Sequence, residues 1–287
     1  MSTLKWSWST TGYGLTGKTH EEIRALCQGA GLAGIEGVPP LFEGRSEGEV
    51  QGIAKQYAAE GLKIDSFHLP FSPEDDIASF YETVRRKATE KIARWMECAA
   101  WAGARVVIQH PTTTRGPVEI DGMDNYLRAI GKSFETLLPL AERLNLIVAV
   151  ENMLPGAEGG RLGSRPEHFE IFQEKFGHEN LGFCLDTGHA LVAAHDRADE
   201  FFSAMKPALA AFHLADNAGD RDSHLAPGFG RVKWKQVFAG MAEVGFSDVA
   251  CIETPPFAYG PAYRVEDWKD MVDGARSLAE KSLENGA

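Results

Sequence analysis

The stretch Leu181-Gly-Phe-Cys-Leu-Asp186-Thr-Gly-His189, followed by residues 190–205 and then by Leu209-Ala-Ala-Phe-His213, contains the repeating unit of the chain. Its two ends are short apolar runs of the kind that form strands buried on both faces. Between them lies a longer segment with helical periodicity. Strand, helix and strand within about thirty residues make a parallel β/α unit. Each strand also closes on an ionisable side chain, Asp186 or His213.

The same alternation extends in both directions. Strands are expected over 4–8, 32–38, 62–68, 105–110, 146–151, 181–186, 209–213 and 249–253. Helices are expected over 21–29, 49–60, 80–101, 125–144, 167–176, 190–205, 234–244 and 265–283. Thr19 with Glu22, Ser46 with Glu49, and Ser164 with Glu167 have capping-box spacing at helix starts. Gly31, Gly61, Gly103, Gly177 and Gly245 stand where helices should stop. A doubly wound sheet would need a glycine-rich phosphate turn after its first strand, and Trp8-Ser-Thr-Thr-Gly12-Tyr-Gly14 is a poor match to that pattern. Eight strand-then-helix units therefore predict an α/β fold, a single (β/α)8 TIM barrel spanning 1–287 with its chemistry at the C-terminal ends of the strands. No linker or low-complexity tract divides the chain.

Composition agrees with one globular domain: 287 residues, 44% hydrophobic and 24% charged. A formal net charge of −12 argues against nucleic-acid phosphates or anionic lipid as the main partner. Cys27, Cys98, Cys184 and Cys251 lack framework spacing and read as buried free thiols. With neither a leader pattern nor a long apolar run, the chain reads as a cytoplasmic protein without membrane association.

His68, His110, Glu151, Asp186, His213 and Glu253 close six successive strands, from the third to the eighth. Ionisable groups at the ends of apolar strands cost several kcal/mol in desolvation unless something binds them, and a barrel brings all six to one mouth. Glu151, Asp186, His213 and Glu253 form an oxygen-rich set suited to one Mn²⁺, Co²⁺ or Mg²⁺, with Zn²⁺ an alternative. His189 lies just beyond the sixth strand, within reach of the same mouth. Asp222 and His224, in a Gly/Pro-rich loop, are candidate further metal ligands or substrate contacts. Trp6, Trp8, Phe71, Phe229 and Phe257 are candidates to stack on a substrate ring.

The strings SFHLPF (66–71), VENM (150–153), CLDTGHA (184–190), FHLADN (212–217), DSHLAPGFGRVKW (222–234) and CIETPP (251–256) together resemble the sugar isomerase/epimerase group of xylose-isomerase-like barrels. That group includes hydroxypyruvate isomerase, tagatose 3-epimerase and inosose dehydratase. The resemblance implies one divalent ion held by Glu151, Asp186, His213 and Glu253. It also implies that Glu151 and Glu253 flank the substrate carbon as acid and base. The expected activity is isomerisation or epimerisation of a small sugar, ketose or related hydroxy-carbonyl compound through a metal-stabilised enediolate, with His189 on a substrate oxygen. A dehydratase of the same group would expel a β-hydroxyl from that enediolate instead. The substrate is expected to be a sugar or polyol derivative without phosphate; barrels of this kind often pair, so a homo-oligomer is possible by analogy, and the sequence leaves the oligomeric state open.

Endonuclease IV, a three-zinc phosphodiesterase for abasic DNA, belongs to the same superfamily. Its nine ligands match His68, His110, Glu151, Asp186, His189, His213, Asp222, His224 and Glu253 in type and order. The stretch 224–228 is closer to the isomerase-like loop, and 152–158 departs from the nuclease pattern. The isomerase reading is therefore preferred, with up to three zinc ions expected if the nuclease reading holds.

Overall fold

Side chains alternate between the two faces of a β-strand, so the strand register determines which residues enter a barrel. The computed structural model of the protein describes residues 4–114, 116–156, 158–254 and 264–284. Its strands are β1 (Ser7–Thr11), β2 (Gly34–Gly37), β3 (Lys63–His68), β4 (Val106–Gln109), β5 (Ile147–Glu151), β6 (Leu181–Asp186), β7 (Leu209–Leu214) and β8 (Val249–Ile252). All neighbours run parallel, and β1 pairs with both β2 and β8, so the sheet closes as a (β/α)8 barrel in chain order.

The helices are α1 (His20–Ala30), α2 (Pro39–Phe42), α3 (Glu47–Ala59), α4 (Glu82–Trp101), α5 (Val118–Asp121), α6 (Met123–Leu144), α7 (Pro166–Phe176), α8 (Thr187–Ala194), α9 (Ala198–Met205), α10 (Trp234–Glu243) and α11 (Val265–Glu284). The long ones surround the barrel, with α1 packed against α11. Among the described residues, no helix is long and apolar enough to cross a membrane.

Two apolar clusters follow from the alternation. Ile35, Phe67, Val107, Val148, Val150, Phe183, Leu185, Phe212, Ala250 and Ile252 point outward into the large core beneath the helices. Val106, Ile108, Ala149, Cys184 and Ala211 form a separate cluster. The residues two positions further along from several of these are His110, Glu151, Asp186 and His213, so the polar groups stand directly above that apolar floor. The four cysteines are buried and unpaired.

Several boundaries differ from the sequence reading, each for a local reason. The first strand begins at Ser7 and runs on to Thr11. The helix expected over 190–205 is divided, because His195 takes a positive φ of 50° and a short 3-10 turn separates α8 from α9. The capping boxes at Thr19 and Ser46 form. At α7, by contrast, Pro166 opens the helix with Arg165 at the N-cap, so Ser164 stands too early to cap it. Gly177 ends α7 at φ −42° without a left-handed turn.

Candidate metal centre and active site

Four donors meet at the centre of the mouth. Glu151 ends β5, Asp186 ends β6, His213 lies in β7 and Glu253 follows β8. One ligand atom from each lies within 4.8 Å of all the others. His213 Nδ1 stands 2.9 Å from Glu151 Oε1 and 3.2 Å from Glu253 Oε2. Asp186 Oδ1 caps α8 by accepting the His189 backbone N–H at 2.6 Å, while the buried Asp186 Oδ2 has no hydrogen-bond partner. An orphaned carboxylate oxygen in a three-carboxylate, one-imidazole cluster is what a hard divalent cation would satisfy.

The electrostatics reflect this crowding. Burial works to raise the Glu151 carboxyl, but His213, His110 and His68 outweigh it and hold the group well below the usual carboxylate range. Burial and then His213 act in the same opposing way on Glu253, which falls to about 2. Asp186 is pushed up to about 8, chiefly by burial, because His189 only partly offsets the desolvation and the neighbouring carboxylates add to it.

Two further groupings flank the centre. His110 Nε2 lies 3.0 Å and His68 Nε2 3.6 Å from Glu151 Oε2. On the other side, His189 Nε2 lies 3.4 Å and His224 Nε2 2.8 Å from Asp222 Oδ2. Three of these imidazoles share one posture. The Nδ1 atoms of His68, His189 and His224 stand 2.7–2.8 Å from the backbone carbonyls of Leu69, Asn152 and Glu253. With Nδ1 donating to a carbonyl, Nε2 is directed at the carboxylates of the mouth, and a ring that gave up its Nε2 proton would have the posture of a metal ligand.

Local hydrogen bonds hold these elements in place. Asn152 exchanges two bonds with the Asp186 backbone, at 2.7 and 2.9 Å, tying the end of β5 to the end of β6. The buried Asp216 accepts from the backbone N–H groups of Asn217, Gly228 and Val232 and from Trp234 Nε1. It thereby folds back the loop carrying Asp222 and His224.

Above the centre opens a cavity of about 730 Å³. His68, His110, Glu151, His189, Asp222, His224 and Glu253 line one part of it; Tyr13, Pro39, Pro40, Pro70 and Phe71 form an apolar wall. Arg161 is the only lysine or arginine on its lining among the described residues, and its Nη2 donates to the Thr112 carbonyl at 2.6 Å.

The aromatic candidates are distributed unequally. Phe71 lines the cavity. Trp8 does not reach it: alternation turns the ring outward, where it packs edge-on against Trp6 and Phe238 at 6.2 and 6.1 Å. Phe229 is 76% exposed and off the cavity lining. Phe257 lies outside the described residues. The sequence reading missed Tyr13 and Glu36; the latter is a fully buried carboxylate in β2, 3.0 Å from His213 Nε2. A lone Glu in Gly-Ile-Glu-Gly was the one signal available for it.

A family model described as xylose isomerase-like TIM barrel matches residues 24–281. The chain belongs to that family. Its relatives include an uncharacterised protein of Methanocaldococcus jannaschii, 28% identical over 235 residues, covering 79% of this chain and 72% of the relative. A probable endonuclease 4 of Sulfurihydrogenibium sp. is 24% identical over 170 residues, 54% of this chain and 59% of that one. Among solved structures, a D-tagatose 3-epimerase-like protein has the same fold, with a TM-score of 0.80 at 22% identity, covering 98% of this chain and 100% of the other.

Proposed function

We propose that the protein is a divalent-metal-dependent isomerase or epimerase of a small sugar, ketose or related hydroxy-carbonyl compound. The observation that carries this reading is the convergence of Glu151, Asp186, His213 and Glu253, two of which, Glu151 and Glu253, line a cavity sized for a small molecule. A divalent cation there would polarise the substrate's carbonyl and neighbouring hydroxyl, lowering the barrier to removal of the adjacent C–H proton.

The chain's own groups supply the remaining chemistry. Glu151 and Glu253 are both held ionised at neutral pH, so either can accept that proton; the glutamate that took it can return it, or the other can deliver one that it has first taken up from solvent. Return to the opposite face gives an epimer, and return to the neighbouring carbon gives an isomer. His189 lines the cavity, which supports its role as a hydrogen-bonding partner of a substrate oxygen. Phe71, Pro39 and Pro70 offer an apolar surface that shields the reacting carbon from water. Replacing Glu253 by Gln is expected to abolish turnover and hydrogen–deuterium exchange at the substrate carbon, read by NMR in D₂O. Exchange at the wild-type rate would refute the mechanism.

The two flanking groupings favour a second reading, a three-metal phosphodiesterase acting on abasic DNA, in which His68, His110, His189, Asp222 and His224 are ligands too. The small cavity, with a single arginine among the described residues of its lining, counts against it, since duplex binding needs a basic groove. Elemental analysis separates the two readings. About one exchangeable ion per chain supports the isomerase, whereas three tightly held zinc ions with incision of an abasic duplex support the nuclease.

A further inference from the structure

Glu36 is fully buried in β2. Gly34 and Gly37 bracket it and let β2 approach β3 closely: a Cβ at Gly34 would lie 1.8 Å from the Lys63 carbonyl, and one at Gly37 2.6 Å from the Phe67 ring. Alternation turns Glu36 inward, where its Oε2 accepts from Ser66 Oγ at 2.8 Å and faces His213 Nε2 at 3.0 Å. The other nitrogen of that ring faces Glu151 and Glu253. Burying a carboxylate beneath a barrel mouth is costly unless a specific partner compensates for it.

We propose that Glu36 is a positioning residue for the metal centre: it accepts the Nε2 proton of His213, fixes the ring's tautomer and plane, and so presents a bare Nδ1 to the cation held with Glu151, Asp186 and Glu253. The inference rests on the metal reading of that four-residue set. An imidazole whose far N–H is held by a carboxylate is a more basic ligand, and loss of such a partner commonly weakens metal binding by about 10- to 100-fold. Ser66 completes the arrangement by fixing the Glu36 rotamer from β3.

One competing arrangement uses the same atoms. Glu36, His213 Nε2 and Cys251 also lie within 4.8 Å of one another and would make Glu36 a ligand itself. That group is fully buried and supplies only three donors, one a thiol whose ionisation burial strongly opposes. His213 Nε2 cannot both donate to Glu36 and bind an ion.

The test compares the wild type with Glu36→Gln and Asp186→Asn by Co²⁺ absorption titration, together with ¹⁵N shifts of the histidines in the Zn²⁺-loaded protein. The expected result is a His213 proton on Nε2 in the wild type and about 10- to 100-fold weaker Co²⁺ binding in Glu36→Gln with unchanged circular dichroism. Glu36→Asp is expected to recover part of the loss. Glu36→Gln affinity within about twofold of wild type, alongside lost binding in Asp186→Asn, would overturn the role of Glu36 while sparing the metal centre. A thiolate-to-cobalt charge-transfer band would overturn it in favour of the Cys251 arrangement. A wild type that binds no Co²⁺ would overturn the metal reading and this inference with it. Should Glu36→Gln not fold, Ser66→Ala reads the same coupling: weaker Co²⁺ binding is expected, and unchanged affinity would refute the proposal.

Discussion

Asp186 carries two duties on one carboxylate. Oδ1 accepts the His189 backbone N–H and starts α8, while Oδ2 faces the centre without a hydrogen-bond partner. Asp186→Asn keeps a capping oxygen but removes the charge. It is expected to weaken divalent-metal binding by at least about 100-fold, more than loss of a supporting partner would, as isothermal titration would register. Trp8 makes the opposite case. Its ring lies between Trp6 and Phe238, away from the cavity. Trp8→Ala is expected to cost about 3–5 kcal/mol in denaturant unfolding while leaving substrate KM unchanged; an altered KM with intact stability would contradict this placement.

At the level of elements, one buried side chain organises the loop after β7. Asp216 gathers three backbone N–H groups and an indole N–H, and that gathering sets where Asp222 and His224 stand. Asp216→Ala leaves those donors without their shared acceptor, at about 1–3 kcal/mol for each that stays buried. Faster proteolysis within the loop is expected, with a larger fall in activity than in thermal stability. In α7, His168 Nδ1 accepts the Gly163 backbone N–H at 3.0 Å, so the fold requires a neutral imidazole. Burial and then Arg165 push its pKa down to about 4 from the ordinary 6.5. The unfolded chain therefore takes up a proton below pH 6.5 that the folded chain refuses. The stability this group contributes is fully present above pH 6.5 and is lost as pH falls towards 4, by about 1.4 kcal/mol per unit. His168→Gln is expected to flatten that part of the stability profile measured by urea unfolding at several pH values; an unchanged slope would refute it.

For the whole molecule, the candidate ligands come from four successive staves of one closed sheet, so an ion held there joins β5, β6, β7 and β8. A ligand that binds only the folded state at 100 times its Kd adds about 2.7 kcal/mol. Chelator treatment is expected to lower Tm, and resupply of the cation to restore it; an identical Tm with and without metal would count against the centre. The repeating β/α unit, and the ends of six strands to within one residue, were legible along the chain, because strand period, helix caps and polar residues after apolar runs are local signals. The sequence by itself also brought Glu151, Asp186, His213 and Glu253 into one candidate set, since any barrel that closes in chain order carries its strand ends to one mouth. Closure and register are tertiary facts, and they decided the rest. They turned Trp8 outward into the helical layer, left Phe229 off the cavity wall, and brought Glu36 from a plain Gly-Ile-Glu-Gly run to His213, 177 residues further along the chain. Such a pairing leaves no local trace, because which inward-facing side chains meet depends on how far the paired strands are staggered around the barrel.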